Sequence, residues 1–215
     1  DMWKQSVAAG VSQSKEEGAS EVTVMVSGIQ QFNVVKKDLR IRKIYLDLQY
    51  FKNEDIITSV SNNRDREFYL VLPPVLRTCY LENMEGLHGL KEHGICGIVV
   101  RNLDELAYLH HMGYQGKLVI DNSLYVMNNY AAAFIQKAFP NARVTVPVEL
   151  NHRQIKKLSF IQRDWEIEAY GYQQLMVSAQ CLQNTLRHCS YTNETFRMQD
   201  RYCLLYTSPS PRDTR

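Results

Sequence analysis

Two cysteines separated by seven residues, Cys181 and Cys189, lie in the most chemically distinctive stretch of this 215-residue chain, YGYQQLMVSAQCLQNTLRHC over Tyr170–Cys189. Cysteine binds metals and attacks electrophiles as the thiolate. The spacing is not CxxC, so neither a zinc ribbon nor a thioredoxin-type redox pair is indicated. Most ferredoxin runs also use shorter gaps. Soft thiolates in a reduced compartment suit an iron–sulfur cluster, which usually takes four. From spacing alone, two unrelated thiols serving as small buried apolar groups is the plainer account.

Other nucleophiles and bases carry less signal. His188 sits beside Cys189 and would lower the thiol pKa if the two faced each other; an exposed basic side chain is the simpler account. His110 and His111 are adjacent and point to different helix faces, and His152 stands alone, so all three read as surface or packing residues. No HExxH or GxSxG occurs, and no Cys–His pair sits in a recognisable local signature of a protease.

The elements that must position such residues alternate. Glu21–Ser27, Lys43–Leu48, Phe68–Pro73, Gly97–Asn102, Lys117–Asp121, Val144–Leu150 and Trp165–Tyr170 read as strands, with Pro147 at or past the hydrogen-bonded part of the sixth. Helical stretches are expected around Ile29–Lys37 and Glu54–Ser61. Asn102 followed by Glu105, and Asn151 followed by Gln154, have the spacing of capping boxes. Leu103, Leu106 and Leu109 then share a helical face, and Gly113 and Gly116 turn the chain into the fifth strand. Strand–helix alternation implies parallel strands with right-handed crossovers. Near-continuous apolar strands imply burial on both faces. The fold expected is α/β, a (β/α) TIM-like barrel that is incomplete at the C-terminus. No GxGxxG or GxxxxGK[ST] opens a helix, which leaves a nucleotide-binding open sheet without support.

In a parallel barrel, chemistry gathers at the carboxyl ends of the strands. The polar residues expected there are Asp47, Arg101, Asn102, Asp121, Asn122, Glu149, Asn151, Tyr170 and Tyr172. Asn102 and Asn151 are already explained as helix caps. Arg101 and Glu149 are the better catalytic candidates, because a charge directly after a buried strand is a poor packing residue. Arg101 would hold an anionic group, and Glu149 a hydroxyl or a base amine. Asn122, Tyr170 and Tyr172 are candidates for substrate binding. The two tyrosines flank Gly171 and would stack on a base, with core packing an equal alternative for Tyr170.

Composition sets limits. Hydrophobic residues make up 45% and charged residues 22%, with a net charge of +2, so no overall electrostatic footprint points to nucleic acid or to a membrane surface. No apolar run approaches the roughly 20 residues needed to span a bilayer. Five cysteines, odd in number and scattered, do not make a disulfide framework, so a reduced, cytoplasmic setting is expected. After Tyr202 the pattern collapses. Cys203–Asp213 reads CLLYTSPSPRD, an eleven-residue match to one reading frame of a transposase adapter used in sequencing-library preparation. The expectation is that residues 203–215 are foreign, that Cys203 is no native ligand, and that the natural protein continues beyond Tyr202. Residues 21–180 then form the barrel and 181–202 the start of a cysteine-containing segment, and residues 1–20 resemble the N-terminal helical segment that precedes such a barrel in longer proteins.

The run VPVELN at Val146–Asn151, EAYGYQQLMVSAQC at Glu168–Cys181, the second cysteine at Cys189 and DRY at Asp200–Tyr202 resembles the collagenase-like peptidase family, family U thirty-two of the peptidases. GIVVRNLDEL and KLVIDNSLYVMNNYA upstream also resemble its barrel units, and Gln174 departs from the family's usual proline before LM. The resemblance implies a protease by name. It also implies relatives that bind a [4Fe–4S] cluster through four cysteines and support hydroxylation of bases in ribosomal or transfer RNA, or of a quinone precursor. The family's first two cysteine positions fall on Cys181 and Cys189, as metal ligands, and the third and fourth would follow DRY. The expectation is therefore a cytoplasmic fragment, itself inactive, of an Fe–S enzyme acting on RNA, with no membrane partner. A peptidase acting on a peptide substrate and a non-catalytic binding barrel are the alternatives.

Overall fold

The computed structural model describes residues 21–51, 53–75, 94–158, 165–174 and 177. The chain divides after Val177, and every described residue belongs to the first unit. Seven strands appear where the apolar runs place them: β1 (Thr23–Val26), β2 (Lys43–Asp47), β3 (Glu67–Val71), β4 (Ile95–Val100), β5 (Lys117–Ile120), β6 (Arg143–Val146) and β7 (Trp165–Ile167). They form one sheet in the order β1-β2-β3-β4-β5-β6-β7, and every neighbouring pair is parallel. Helices α1 (Ile29–Val35), α2 (Asn53–Ser61), α3 (Leu103–His111), α4 (Asn129–Ala138) and the single turn α5 (His152–Ile155) return the chain between strands.

The sheet is curled. The Tyr45 hydroxyl on β2 donates to Glu166 Oε1 on β7 at 2.7 Å. Those strands are five places apart, and at about 4.8 Å per step a flat sheet would separate them by about 24 Å. Only a sheet bent toward a barrel lets the two side chains meet.

Side-chain alternation sorts the residues into two faces. Ile44, Leu46, Phe68, Leu70, Val26 and Ile95 pack with Phe32 of α1 and Ile56 and Val60 of α2. Ile98, Val100, Leu118, Ile120, Val144 and Val146 pack with Leu106 and Leu109 of α3 and Ala132 and Ile135 of α4. The inner face holds a smaller apolar group of Tyr45, Tyr69, Val71, Val99 and Val119. Gly97 on β4 is required here, since a Cβ would lie 2.6 Å from the Tyr69 ring and 2.5 Å from the Lys117 carbonyl oxygen.

Among the described residues, charged groups along the inner side of the sheet pair with one another. Lys43 donates to Glu21 at 2.7 Å and Arg143 to Glu166 at 2.8 Å, while Lys117 and the Tyr69 hydroxyl both reach Glu67. Arg66, buried at the start of β3, donates to the carbonyls of Val35, Lys36 and Ile41, which satisfies the end of α1.

Three helix starts are capped by asparagine. Asn102 accepts from Glu105 N–H, Asn128 from Tyr130 and Ala131, and Asn151 forms a complete capping box with Gln154. The helix α4, which the sequence reading did not delimit, owes its start to Asn128. Several strands end earlier than expected, β7 at Ile167 and β6 most of all: β6 stops at Val146, not Leu150, because Pro147 has no N–H for the ladder. The chain turns there, with Leu150 N–H bonded to the Pro147 carbonyl at 3.1 Å. Among the described residues no helix is long and apolar enough to cross a membrane.

Candidate functional site

The carboxyl ends of the strands hold a connected polar group. Asp47, the last residue of β2, and Arg101, the first after β4, project from alternate positions on the inner side. Arg101 Nη2 lies 3.2 Å from Asp47 Oδ2 and 3.3 Å from Met25 Sδ on β1. The pair is largely buried, with 11% of the Arg101 side chain and 4% of that of Asp47 exposed. Burial raises the Asp47 carboxyl above the usual carboxylate range, and Arg101 and the Gln49 N–H only partly offset it; the Asp121 charge adds to the rise.

Across the mouth, Asn122 Nδ2 donates to Glu168 Oε2 at 2.7 Å. Asn122 belongs to a short 3-10 turn, Asn122–Leu124, that Asp121 caps through Ser123 N–H. Ser123 Oγ lies 2.7 Å from Asp121 Oδ2 and 2.9 Å from the Arg101 carbonyl oxygen, so its one proton links the ends of β4 and β5. Glu168 is reached from β7 by the same alternation that turns Glu166 inward.

Glu105 supports this group from behind. It is fully buried at the start of α3. One carboxylate oxygen accepts the Arg101 N–H at 2.6 Å and the other accepts Asn102 Nδ2 at 2.9 Å. Burial pushes its pKa up to about 7, against the pull of those hydrogen bonds and of the Arg101 charge. Deeper in the curl, burial and then the Glu166 charge push the Tyr45 hydroxyl far above its ordinary value, so it remains a donor.

The structure brings two of the expected site residues, Arg101 and Asn122, into this mouth. Glu149 lies in the turn after Pro147 and is exposed. Tyr170 and Tyr172 are fully exposed, so Tyr170 is not a core residue. Cys181 and Cys189 lie outside the described residues, and among those described no three of His, Cys, Asp and Glu gather into a metal-binding group. Sequence reasoning missed Glu105 and Glu168 and did not single out Asp47. The signal for Asp47 was present, a charge ending an apolar strand as Arg101 does. For Glu168 it was the alternation of WEIE.

A curled parallel α/β sheet with paired charges and amides at its carboxyl ends defines the class to which this chain belongs. Within that class, the model of Peptidase family U32 matches residues 11–194, and the chain is a member of that family. A solved structure, that of the U32 peptidase Mk0906, aligns with a TM-score of 0.54 over 73% of this chain and 70% of that one. At 14% identity the likeness shows the fold. No curated protein matches the chain.

Proposed function

We propose that the natural protein from which this chain comes supports hydroxylation of RNA bases with a [4Fe–4S] cluster, in a reduced, cytoplasmic setting. The observation that carries the reading is the mouth itself, where Asp47–Arg101 and Asn122–Glu168 set donors and acceptors in fixed positions at the end of a curled parallel sheet. Such an array suits the hydrogen-bonding edge of a polar planar ring. Arg101 has guanidinium nitrogens beyond the one on Asp47 and would hold an anionic group of the substrate. Asn122 would present its amide to the base. Glu149, from the turn after β6, would accept from a hydroxyl or an amine, and Tyr170 and Tyr172 would stack.

Cys181 and Cys189 fit such a cluster in kind, being thiolates, and supply two of the four ligands it usually takes. The proposal assigns the other two to the natural sequence beyond Tyr202. When bound, the cluster would supply one-electron chemistry, while the oxygen atom and the two-electron oxidation that turn a C–H into a C–OH would come from a separate oxygen-donating co-substrate. Anaerobic reconstitution of the natural full-length protein with iron and sulfide tests this. A brown, cluster-type absorbance that Cys181→Ala abolishes is expected; a colourless protein with full iron access would refute it.

The second reading is a peptidase, favoured by the family's description and by that of Mk0906. Peptide hydrolysis that survives both Cys181→Ala and iron chelation would establish it in place of the first.

A further inference from the structure

Four tyrosines project from the loops that follow strand ends, all on the side of the mouth. Tyr50 follows β2, Tyr125 follows β5, and Tyr170 and Tyr172 follow β7; they are 44%, 58%, 100% and 106% exposed. Single exposed apolar groups are ordinary. Four aromatic rings on the carboxyl-side loops of one parallel sheet are not scattered, because those loops share one end of it. Tyr125 is also held in the left-handed region, φ 50 and ψ 49, where a bulky side chain is rarely found. Strain of this kind persists where the surroundings enforce it, and it is concentrated at functional sites.

Between the β5 and β7 loops lies the segment after β6. Its exposed residues include His152, Arg153, Lys156 and Lys157, and residues 151–158 contain no acid. In strand order the exposed groups are therefore Tyr125 after β5, Glu149 followed by a cationic run after β6, and two tyrosines after β7. The chain as a whole carries only +2, so this run is a local feature that composition hides. Rings supply stacking faces that any base can use, and the cations supply phosphate contacts.

Resting on the RNA reading above, we infer that this rim is a docking platform for an unpaired RNA strand. Its bases stack on Tyr125, Tyr170 and Tyr172, and Arg153, Lys156 and Lys157 hold its phosphates. The occupant is single-stranded because a duplex keeps its base faces stacked on one another and leaves none for the tyrosines. The platform binds the nucleotides beside the one presented to Arg101 and Asn122 in the mouth.

The test is fluorescence anisotropy with the full chain and a labelled, unstructured RNA of about ten nucleotides, alone and annealed to its complement. The single strand should bind at least about tenfold more tightly than the duplex. Tyr125→Ala and Tyr172→Ala should each weaken binding by about 5- to 100-fold, and Tyr125→Phe should restore it. Both positions are exposed, and circular dichroism checks that each variant folds. Lys156→Ser with Lys157→Ser should lower the slope of log affinity against log salt by about 1.4, at about 0.7 per phosphate on a single strand. Equal affinity for single strand and duplex would overturn the inference, as would tyrosine variants that bind like the parent. A tyrosine-dependent affinity for oligopeptides with none for RNA would also overturn it. RNA that binds through the rim but is never hydroxylated leaves the platform standing and removes the proposed reaction. Hydroxylation that is indifferent to the rim variants does the reverse.

Discussion

Replacing Glu105 with glutamine should flatten the dependence of stability on pH. The carboxyl is fully buried behind Arg101 and its pKa is raised from 4.5 to about 7. A carboxyl whose folded pKa lies above its unfolded one favours the fold in its protonated form. Its stabilising contribution is complete below about pH 4.5 and is lost as pH rises through about 7. Integrated between pH 5 and 8, that loss is about 2.5 kcal/mol. Glutamine has no charge to titrate, so its own cost is independent of pH. It keeps one acceptor for the Arg101 N–H or for Asn102 Nδ2 but turns an NH2 toward the other donor, which costs about 1–3 kcal/mol. The variant should therefore be less stable than the parent at pH 5 and close to it at pH 8. Urea unfolding of both proteins at each pH, followed by circular dichroism, gives the difference. A parent-minus-variant difference that does not change with pH would refute the reasoning.

Three other substitutions probe the same framework. Arg101→Ala leaves Asp47 buried beside Asp121 without its cation; chemical denaturation should show a loss of about 3 kcal/mol at pH 8 that shrinks on acidification as Asp47 takes up a proton. Gly97→Ala sets a methyl group against the Lys117 carbonyl and the Tyr69 ring, and thermal unfolding should register a loss of about 2 kcal/mol. Tyr45→Phe removes the 2.7 Å bond to Glu166 while Arg143 still holds that carboxylate, so a loss of about 1 kcal/mol is expected in the same assay.

Strands were legible because a parallel sheet buried on both faces writes itself as apolar runs, and all seven fell where KIYLD, FYLVL, GIVV and their counterparts stand. The run of seven strand–helix units pointed to a barrel-like curl, but not to the contacts made across it. Tyr45 and Glu166 meet across 121 residues, and no local pattern records which strands face each other. Arg101 and Asn122 were placed at the mouth by the reading because they stand next to strand ends, and the structure puts them there. Glu149 was read by the same rule, but Pro147 stops β6 three residues earlier and carries Glu149 out into a turn. Glu105 looked like a capping partner at the third helical position. Its backbone N–H takes the cap bond and one carboxylate oxygen reaches the Asn102 side chain, while the other oxygen goes on to take the Arg101 N–H. That difference depends on how α3 sits on the sheet, which a one-dimensional pattern does not hold.

On the proposed function, the family member from which this chain comes adds oxygen to an RNA base presented at the Arg101–Asn122 mouth. Mass spectrometry of nucleosides from ribosomal and transfer RNA is the direct measurement, comparing cells that lack the gene with cells given the natural full-length gene or its Arg101→Ala form. A nucleoside heavier by one oxygen should be lost without the gene, restored by the natural form and not by the variant. Identical nucleoside profiles in all three would contradict the proposed function.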